Sequence, residues 1–273
     1  MYDQLPHITS RIETLTPAGI QSVGTGFFFG FDLGDNESLV LLLTNKHVVD
    51  GANRARIYLS RANGNEPAFG AINAWEITEF DQLVVRHPNP SVDLAAFPVG
   101  GVLNDMSRAG TPAYFRSLGL NNIPTDEQAE QLTAIEEILM IGYPIGVWDE
   151  TNNLPIVRRG ITATPYARDY NGAPEFMIDC ACFPGSSGSP VMIANNGSFP
   201  RKDGSIAIGS RFHLLGLLWG GPQYTAQGNI VARPVPTAMA PVAMSQIPTN
   251  LGFCVKSRMI RDLEPMVRAR YGN

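Results

Sequence analysis

The stretch FPGSSGSPVM, residues 183–192, decides how this chain is interpreted. It contains two glycines, three serines and two prolines, and it fits the pattern G-x-S-G-x-P with Ser187 at the centre. A glycine at 185 lets the backbone turn so that its N–H and that of Ser187 can point at one spot. Two such donors can stabilise an oxyanion. The simpler alternative is a turn whose serines only reverse the chain.

A serine hydroxyl needs a base before it can act as a nucleophile. The chain has four histidines, and one of them, His47 in LTNKHVVDGA, directly follows an apolar strand pattern. A histidine base is usually oriented by a carboxylate. Asp93 in SVDLAAFPV is the best candidate, because it opens an apolar strand that would hold it rigid. Asp81 is the second candidate. His87 and His213 have no comparable sequence context and are interpreted as structural or surface residues.

Composition excludes several classes of protein. The 273 residues are 44% hydrophobic and 16% charged, which is typical of a globular protein with a core. A net charge of −5 gives no basic footprint for nucleic acid. No apolar run approaches the length of a membrane span, and the N-terminus has no signal-peptide pattern. If Met1 is the native start, a cytoplasmic location is expected.

Three cysteines, an odd and low number, argue against a disulfide framework. Cys180 and Cys182 share a strand face but are too few for a zinc site, so we expect no metal and no cofactor.

Most of the chain has the pattern of short strands separated by Gly, Pro, Asn and Asp, which indicates an all-β sandwich or barrels. Residues 125–137 begin with a capping-box spacing, Thr125 to Gln128, and predict a short helix. An amphipathic helix is predicted from Ser257 onward, with Pro265 expected to bend or end it. The Pro-rich segment 229–250 has no periodicity and is predicted to be a long surface loop.

Three motifs, TNKHVV, VDLAAF and GSSGSP, resemble in this order the trypsin-like serine peptidases, and most closely the bacterial HtrA/DegP-like branch. The segments GTGFFF, IGYP and LGFCVKSRMI also resemble strands of that family, so the resemblance covers about residues 20 to 265. It implies an all-β fold of two six-stranded antiparallel barrels followed by a C-terminal helix. The implied organisation is a first barrel over 1–115 with His47 and Asp93, a connector over 116–137, and a second barrel over 138–273 with Ser187.

The resemblance also implies the chemistry. Ser187 would attack a peptide carbonyl, His47 would transfer the proton, Asp93 would orient the histidine, and the N–H groups of Gly185 and Ser187 would form the oxyanion hole. Unlike the HtrA/DegP-like branch, these 273 residues show no PDZ pattern after the last predicted helix, so peptide sensing by such a domain is not expected. Ser186 stands where digestive members carry an aspartate that pairs with a freed N-terminus, so activation by N-terminal trimming is not expected.

The resemblance further locates a specificity pocket. Its walls would come from the segment before the nucleophile, from the LLWGG strand and from the last strand. They would comprise Ala181, Cys182, Phe183, Pro184, Trp219, Gly220, Gly221, Gly252 and Cys254. Ala181 occupies the position that is acidic in trypsin, which predicts an apolar pocket for an aliphatic side chain. A disulfide between Cys182 and Cys254 is disfavoured in a reducing compartment.

Two functions from different classes remain at this stage. The first is a serine endopeptidase acting on protein or peptide substrates, without nucleic acid or membrane. The second is a latent or non-cleaving peptide-binding protein with the same fold, activated by a partner.

Overall fold

A computed structural model describes residues 2–16, 18–34, 37–228 and 243–272. The molecule is mostly β, as expected. Its strands are β1 Thr9–Thr16, β2 Gly19–Gly34, β3 Glu37–Thr44, β4 Arg54–Asn63, β5 Glu66–Thr78, β6 Val85–Arg86, β7 Ala95–Pro98, β8 Ala113–Tyr114, β9 Leu118–Gly119, β10 Glu137–Gly142, β11 Ile156–Thr162, β12 Glu175–Asp179, β13 Pro190–Asn195, β14 Ser198–Pro200, β15 Ile206–Ile208, β16 Arg211–Gly220, β17 Gln223–Gly228, β18 Ala243–Pro248 and β19 Leu251–Lys256.

The α-helices are short. They are α1 Lys46–Val49, α2 Phe80–Leu83, α3 Gly100–Arg108, α4 Asp126–Gln131 and α5 Glu264–Tyr271, and 3-10 helices cover Tyr2–Ile8, Leu120–Asn122, Pro144–Gly146 and Ser257–Leu263. None of the helices within the described residues combines the length and the apolar character needed to cross a membrane.

The C-terminal half forms a closed barrel of six strands in the order β10-β11-β12-β19-β16-β13. In β11 exposed side chains alternate with partly buried ones, and Val157, Arg159 and Ile161 face solvent. This is the period of two that a half-buried strand requires. The predicted second barrel is therefore present.

The N-terminal half is a sheet of nine strands, with β5-β4-β1-β2-β3-β7-β6 as its main path and β8 and β9 attached to β4 and β2. Among the described residues no pairing joins the two ends of this path, so closure into the predicted six-stranded barrel is not shown for this half. The long strands β4 and β5, which pair with each other from Arg54↔Thr78 to Asn63↔Glu66, extend the sheet at one end. Closure of this half and the exact domain boundaries stay predictions.

One apolar cluster joins the two halves. It includes Phe27, Phe29 and Leu41 from the sheet, together with Met192 and Leu217 from the barrel. Each half also has its own cluster, one under β3, β4 and β7 and one inside the barrel. Because a shared core resists relative movement, side chains from the two halves can be held at fixed distances.

Two helical predictions have different outcomes. The capping box of Thr125 and Gln128 forms as expected, but its helix ends at Gln131, and residue 137 already begins β10. At the C-terminus, Ser257–Leu263 form a 3-10 helix where an α-helix was predicted, and α5 begins only at Glu264. Pro265 lies in the first turn of α5, where its missing N–H has no intrahelical role.

The predicted 229–250 loop is only partly described. Residues 243–248 form β18, which pairs with β17, and not a loop. Residues 229–242 lie outside the described part of the chain.

Candidate active site

His47 and Asp93 meet at one edge of the N-terminal sheet. His47 lies in α1, just after the buried strand β3, and Asp93 directly precedes β7, which pairs with β3. The His47 Nδ1 atom is 2.5 Å from Asp93 Oδ2, and the His47 backbone N–H donates to Asp93 Oδ1 at 3.2 Å. The Asn45 side chain fixes the same segment by donating to the Asp93 carbonyl at 2.7 Å. This arrangement leaves His47 Nε2 on the outward side of the ring, where it can accept a proton.

Asp81, the second candidate, is in a different environment. Its carboxylate accepts from Arg86 at 2.6 Å and is exposed. The structure therefore brings Asp93, and not Asp81, to His47.

Ser187 lies in the tight loop between β12 and β13. Its carbonyl accepts from the Thr25 N–H at 2.8 Å, and the next N–H, that of Gly188, donates to Leu218 O at 2.8 Å. The Ser187 hydroxyl donates to the carbonyl of Trp219 at 3.5 Å. Within the described residues it makes no hydrogen bond to His47. The backbone of Ser187 is thus fixed, while its side chain occupies a rotamer directed toward β16.

Thr25 in β2 connects the histidine turn to the nucleophile loop. Besides binding the Ser187 carbonyl, its own carbonyl accepts from the Thr44 hydroxyl at 2.7 Å, three residues before His47. Its hydroxyl donates to Gly185 O at 3.0 Å and accepts from the Tyr143 N–H at 3.1 Å. The strand that carries Thr25 was predicted from the pattern GTGFFFGF, but no role was predicted for Thr25 itself. A small polar side chain between two glycines in an otherwise apolar strand is the signal that could have identified it.

Residues 183–186 form the turn that would bind an oxyanion. The Ser186 N–H donates to Phe183 O at 3.0 Å, Pro184 is at the second position, and Gly185 has φ +87°. These are features of a type II turn, which needs a positive φ at its third residue. The Pro184 carbonyl accepts from the Ile145 N–H at 2.6 Å. Because N–H and C=O point in opposite directions across a trans peptide, this contact directs the Gly185 N–H away from Ile145. Within the described chain, the N–H groups of Gly185 and Ser187 have no acceptor.

A cavity of about 230 Å³ opens beside Ser187. Five of the predicted pocket residues line this cavity, and so do several residues that were not predicted. The lining comprises Cys182, Phe183, Pro184, Ser187, Leu218, Gly220, Gly221, Pro222, Thr249 and Leu251.

The other predicted pocket residues lie behind or beside this wall. Cys254 is fully buried in the barrel core, and Gly252 packs where a Cβ would meet Cys182 Sγ. Trp219 stacks on Phe253 with ring centroids 5.5 Å apart. The Ala181 carbonyl accepts from the Arg158 guanidinium.

The lining of the cavity has no ionisable side chain except the Cys182 thiol, whose pKa burial raises to about 12. All three cysteines are free thiols. The Arg158 guanidinium lies over the ring of Phe183, 4.9 Å from its centroid. An apolar wall with a cation behind it disfavours a positively charged ligand side chain.

The remaining histidines are in structural surroundings. His87 is buried and contacts Asp262 at 3.2 Å. Burial lowers the pKa of His213, as does the charge of Arg211. No group of three or more His, Cys, Asp or Glu side chains suited to a metal ion occurs among the described residues.

The comparisons with known proteins concern the family and the fold. A family model described as a trypsin-like peptidase domain matches residues 24–199, nearly two thirds of the chain. The comparison with curated proteins returned no match.

Among solved structures, a serine endoprotease from Yersinia pestis is 17% identical, with 100% of this chain and 68% of that chain covered and a TM-score of 0.51. The MamO protease domain from Magnetospirillum magneticum is 15% identical over 96% of this chain and 97% of that one, with a TM-score of 0.48. A mutant of Rv3671c from M. tuberculosis, in an inactive form, is 17% identical over 99% and 90%, with a TM-score of 0.45. At these identities the likeness concerns the fold alone. The family match covers more than half of the chain, and the chain therefore belongs to the trypsin-like peptidase family and is a serine protease.

Proposed function

We propose that this protease is an endopeptidase that uses Ser187 as nucleophile, His47 as general base and Asp93 as the carboxylate that orients the histidine. The observation that carries the proposal is the 2.5 Å contact between His47 Nδ1 and Asp93 Oδ2. It selects the tautomer in which Nε2 is free to accept the serine proton. We also infer that the N-terminal sheet serves as the first barrel of the family.

The reaction follows from the positions of these groups. Ser187 Oγ bonds to the carbonyl carbon of the substrate while its proton passes to His47 Nε2. The negative charge that develops on the carbonyl oxygen is stabilised by the N–H groups of Gly185 and Ser187. The C–N bond then breaks as Nε2 returns the proton to the leaving amine. A water molecule, deprotonated in turn by His47, hydrolyses the acyl ester and regenerates Ser187.

One rearrangement is required before attack. The Ser187 hydroxyl donates to the Trp219 carbonyl, so its χ1 must rotate toward His47. A rotation between staggered rotamers of an unbranched side chain is fast and small. Catalytic hydrogen bonds are often long in the free enzyme and form in the substrate complex.

We propose that the cavity beside Ser187 binds the side chain preceding the cleaved bond, and that it prefers uncharged aliphatic groups. Support comes from its volume of about 230 Å³ and from the apolar side chains of Leu218 and Leu251. The extended substrate would pair with the backbone of Trp219–Gly221, adding a strand to the edge there. Substrates are proteins or peptides, as the fold implies.

The alternative, a latent peptide-binding protein, predicts a different conformation of the nucleophile loop. A latent protease of this fold would have an unformed oxyanion hole. The turn at 183–186, with Gly185 at φ +87° and a fixed Pro184 carbonyl, supports the competent arrangement. We therefore favour an enzyme that is active without a partner.

Cleavage of a denatured proteome tests both activity and specificity. The wild-type protein should generate new N-termini that follow aliphatic residues, and Ser187→Ala should generate none. Ser186→Ala, the matched control one residue away, should retain most of the activity. Preferred cleavage after Lys, Arg or Glu would contradict the proposed pocket, and equal loss in both serine variants would contradict the choice of nucleophile.

A further inference from the structure

The peptide that directs the Gly185 N–H is held by a loop in an unfavourable conformation. Ile145 donates its N–H to the Pro184 carbonyl, yet it has φ +52°, a left-handed conformation that is rare for a β-branched residue. Its side chain is exposed, so burial does not stabilise the conformation. Strained backbone of this kind persists only where its surroundings hold it in place. The question is which residues hold the 144–148 loop.

Ser186 does not hold it. This residue stands where the digestive members of the family carry an aspartate, and its hydroxyl is buried without a hydrogen bond to any of the described residues. The Ser186 side chain therefore does not restrain the 144–148 loop.

Arg11, in β1 of the N-terminal sheet, contacts the loop on two sides. Its Nη1 donates to the carbonyl of Gly146, the residue directly after Ile145, at 3.2 Å. Its guanidinium lies 5.4 Å from the ring centroid of Trp148, within the range of a cation–π contact. Gly146 has φ +68°, and a Cβ there would lie 3.6 Å from Arg11 Nη2, so the loop and the guanidinium are in close contact.

Arg11 is itself fixed from the opposite side. Its Nη2 is 2.8 Å from Glu13 Oε1, and the two side chains are only 12% and 3% exposed. Glu13 Oε2 accepts from the Tyr58 hydroxyl at 2.9 Å and lies 3.5 Å from Arg56 Nη1. A buried charge pair with further hydrogen bonds on the carboxylate is rigid. The guanidinium is thus a fixed point on the N-terminal sheet.

We propose that Arg11 is a positioning residue for the oxyanion hole. By holding the Gly146 carbonyl and the Trp148 ring, it keeps the Ile145 N–H on the Pro184 carbonyl, and that contact keeps the Gly185 N–H directed at the substrate oxygen. The inference rests on the proposed function, because it assigns Arg11 to the same oxyanion hole. It makes the competence of the nucleophile loop in the C-terminal barrel dependent on an ion pair in the N-terminal sheet.

The test compares Arg11→Met with Arg56→Met. Both variants remove one cationic neighbour of Glu13, but of these two arginines only Arg11 has a described contact with the 144–148 loop. Methionine retains the packing of the long side chain. Kinetics are measured on a fluorogenic peptide with leucine before the cleaved bond, together with the inhibition constant of the peptide aldehyde of the same sequence, whose hemiacetal oxygen occupies the oxyanion hole.

For Arg11→Met we expect kcat to fall about tenfold or more, with KM within about twofold, since an oxyanion donor acts mainly in the transition state. The inhibition constant of the aldehyde should rise by a similar factor, because the same donors hold its oxygen. Arg56→Met should keep both values within about twofold of the wild type. A role of Arg11 in folding alone would lower the amount of active enzyme without changing the aldehyde affinity of the active fraction.

If Arg11→Met does not fold, the double variant Arg11→Met/Glu13→Gln replaces it, because removing both charges leaves no unpaired buried carboxylate. The same loss of kcat is expected. A wild-type enzyme that is active, with kcat and aldehyde affinity unchanged in the folded Arg11 variant, overturns this inference and leaves the proposed function intact. A wild-type protein without hydrolysis that depends on Ser187 overturns the proposed function and this inference together.

Discussion

Gly185→Ala tests the proposed oxyanion hole separately from the proposed catalytic triad. Gly185 has φ +87°, and an alanine Cβ built there would lie 2.5 Å from the Tyr143 carbonyl oxygen and 3.2 Å from the Ile145 N atom. Both neighbours are backbone atoms, which cannot move aside as a flexible side chain can. The left-handed conformation alone costs alanine roughly 1–2 kcal/mol, and the clash adds to this cost.

The loop can relieve this strain in one direction. Rotation of the Pro184–Gly185 peptide would give residue 185 the negative φ that alanine prefers, and it would break the hydrogen bond between the Ile145 N–H and Pro184 O. The Gly185 N–H then leaves the substrate oxygen. Loss of one oxyanion donor typically costs about 2.7–4 kcal/mol of transition-state stabilisation, which lowers kcat by about 10²–10³. KM should change little, because the donor acts mainly in the transition state.

Steady-state kinetics on a peptide substrate measure this effect, with Gly172→Ala as the matched control. Gly172 has φ +77° in a surface turn, and a Cβ there meets nothing within 4 Å. It therefore carries the same conformational cost without the clash or the oxyanion role. If kcat of Gly185→Ala lies within about threefold of that of Gly172→Ala, the assignment of Gly185 to the oxyanion hole is wrong.

Four further predictions concern single positions. Asp93→Asn should lower kcat by about 10⁴ while the protein stays folded, because the carboxylate sets the tautomer of His47; kinetics and circular dichroism measure the two effects, and Asp81→Asn should be close to wild type. Thr25→Val should lower the free energy of unfolding by about 2 kcal/mol or more in chemical denaturation, because it leaves the buried Tyr143 N–H without its acceptor; an unchanged denaturation midpoint would contradict the bridging role. Ile145→Asn should leave kcat near the wild-type value and raise the free energy of unfolding by up to about 1 kcal/mol, since asparagine tolerates a positive φ better; a large loss of activity would mean that the isoleucine side chain itself contributes. Burial raises the pKa of Glu175, and the charge of Asp93 adds to the rise. The folded state therefore binds this proton more tightly and loses stability as the pH rises through the carboxyl range. Glu175→Gln should be more stable than wild type at pH 7 and should lose this advantage below about pH 4, and thermal unfolding at both pH values measures the difference.

The triad candidates could be identified from the sequence because each lies in a short local motif next to a strand. TNKHVV and VDLAAF place His47 and Asp93 at the ends of β3 and β7, and these strands pair directly. A register set by buried apolar residues on both strands brings the two side chains together. The strand pattern and the resemblance were therefore sufficient to predict that His47 and Asp93 lie close together.

The supports of the site could not be predicted in the same way. Thr25 and Arg11 act through contacts with residues more than 100 positions away, as in the Thr25 hydroxyl to Gly185 O and Arg11 to Gly146 O. No local periodicity encodes such contacts, because they depend on how the two halves of the fold pack. For the same reason the pocket was predicted only in part. Leu251 at the start of β19 and Thr249 just before it line the cavity. The path of this segment past Ser187 depends on tertiary packing.

The predicted closure of the N-terminal half depended on the resemblance and not on any feature of the strands. The alternation of side chains indicates which face of a strand is buried, but it does not determine whether the first and last strands of a sheet pair. Arg54–Asn63 and Glu66–Thr78 are long enough to extend the sheet beyond the strands that carry the site.

The most direct test of the proposed mechanism is covalent labelling of the purified protein with a fluorophosphonate, followed by mass spectrometry of the digested product. This reagent forms a stable bond only with a serine whose hydroxyl is activated by a base. We predict one label per chain, located on Ser187, with labelling lost in His47→Ala and retained in Ser186→Ala. An unlabelled wild-type protein, or a label on Ser186, would contradict the assignment of Ser187, His47 and Asp93 as the catalytic residues.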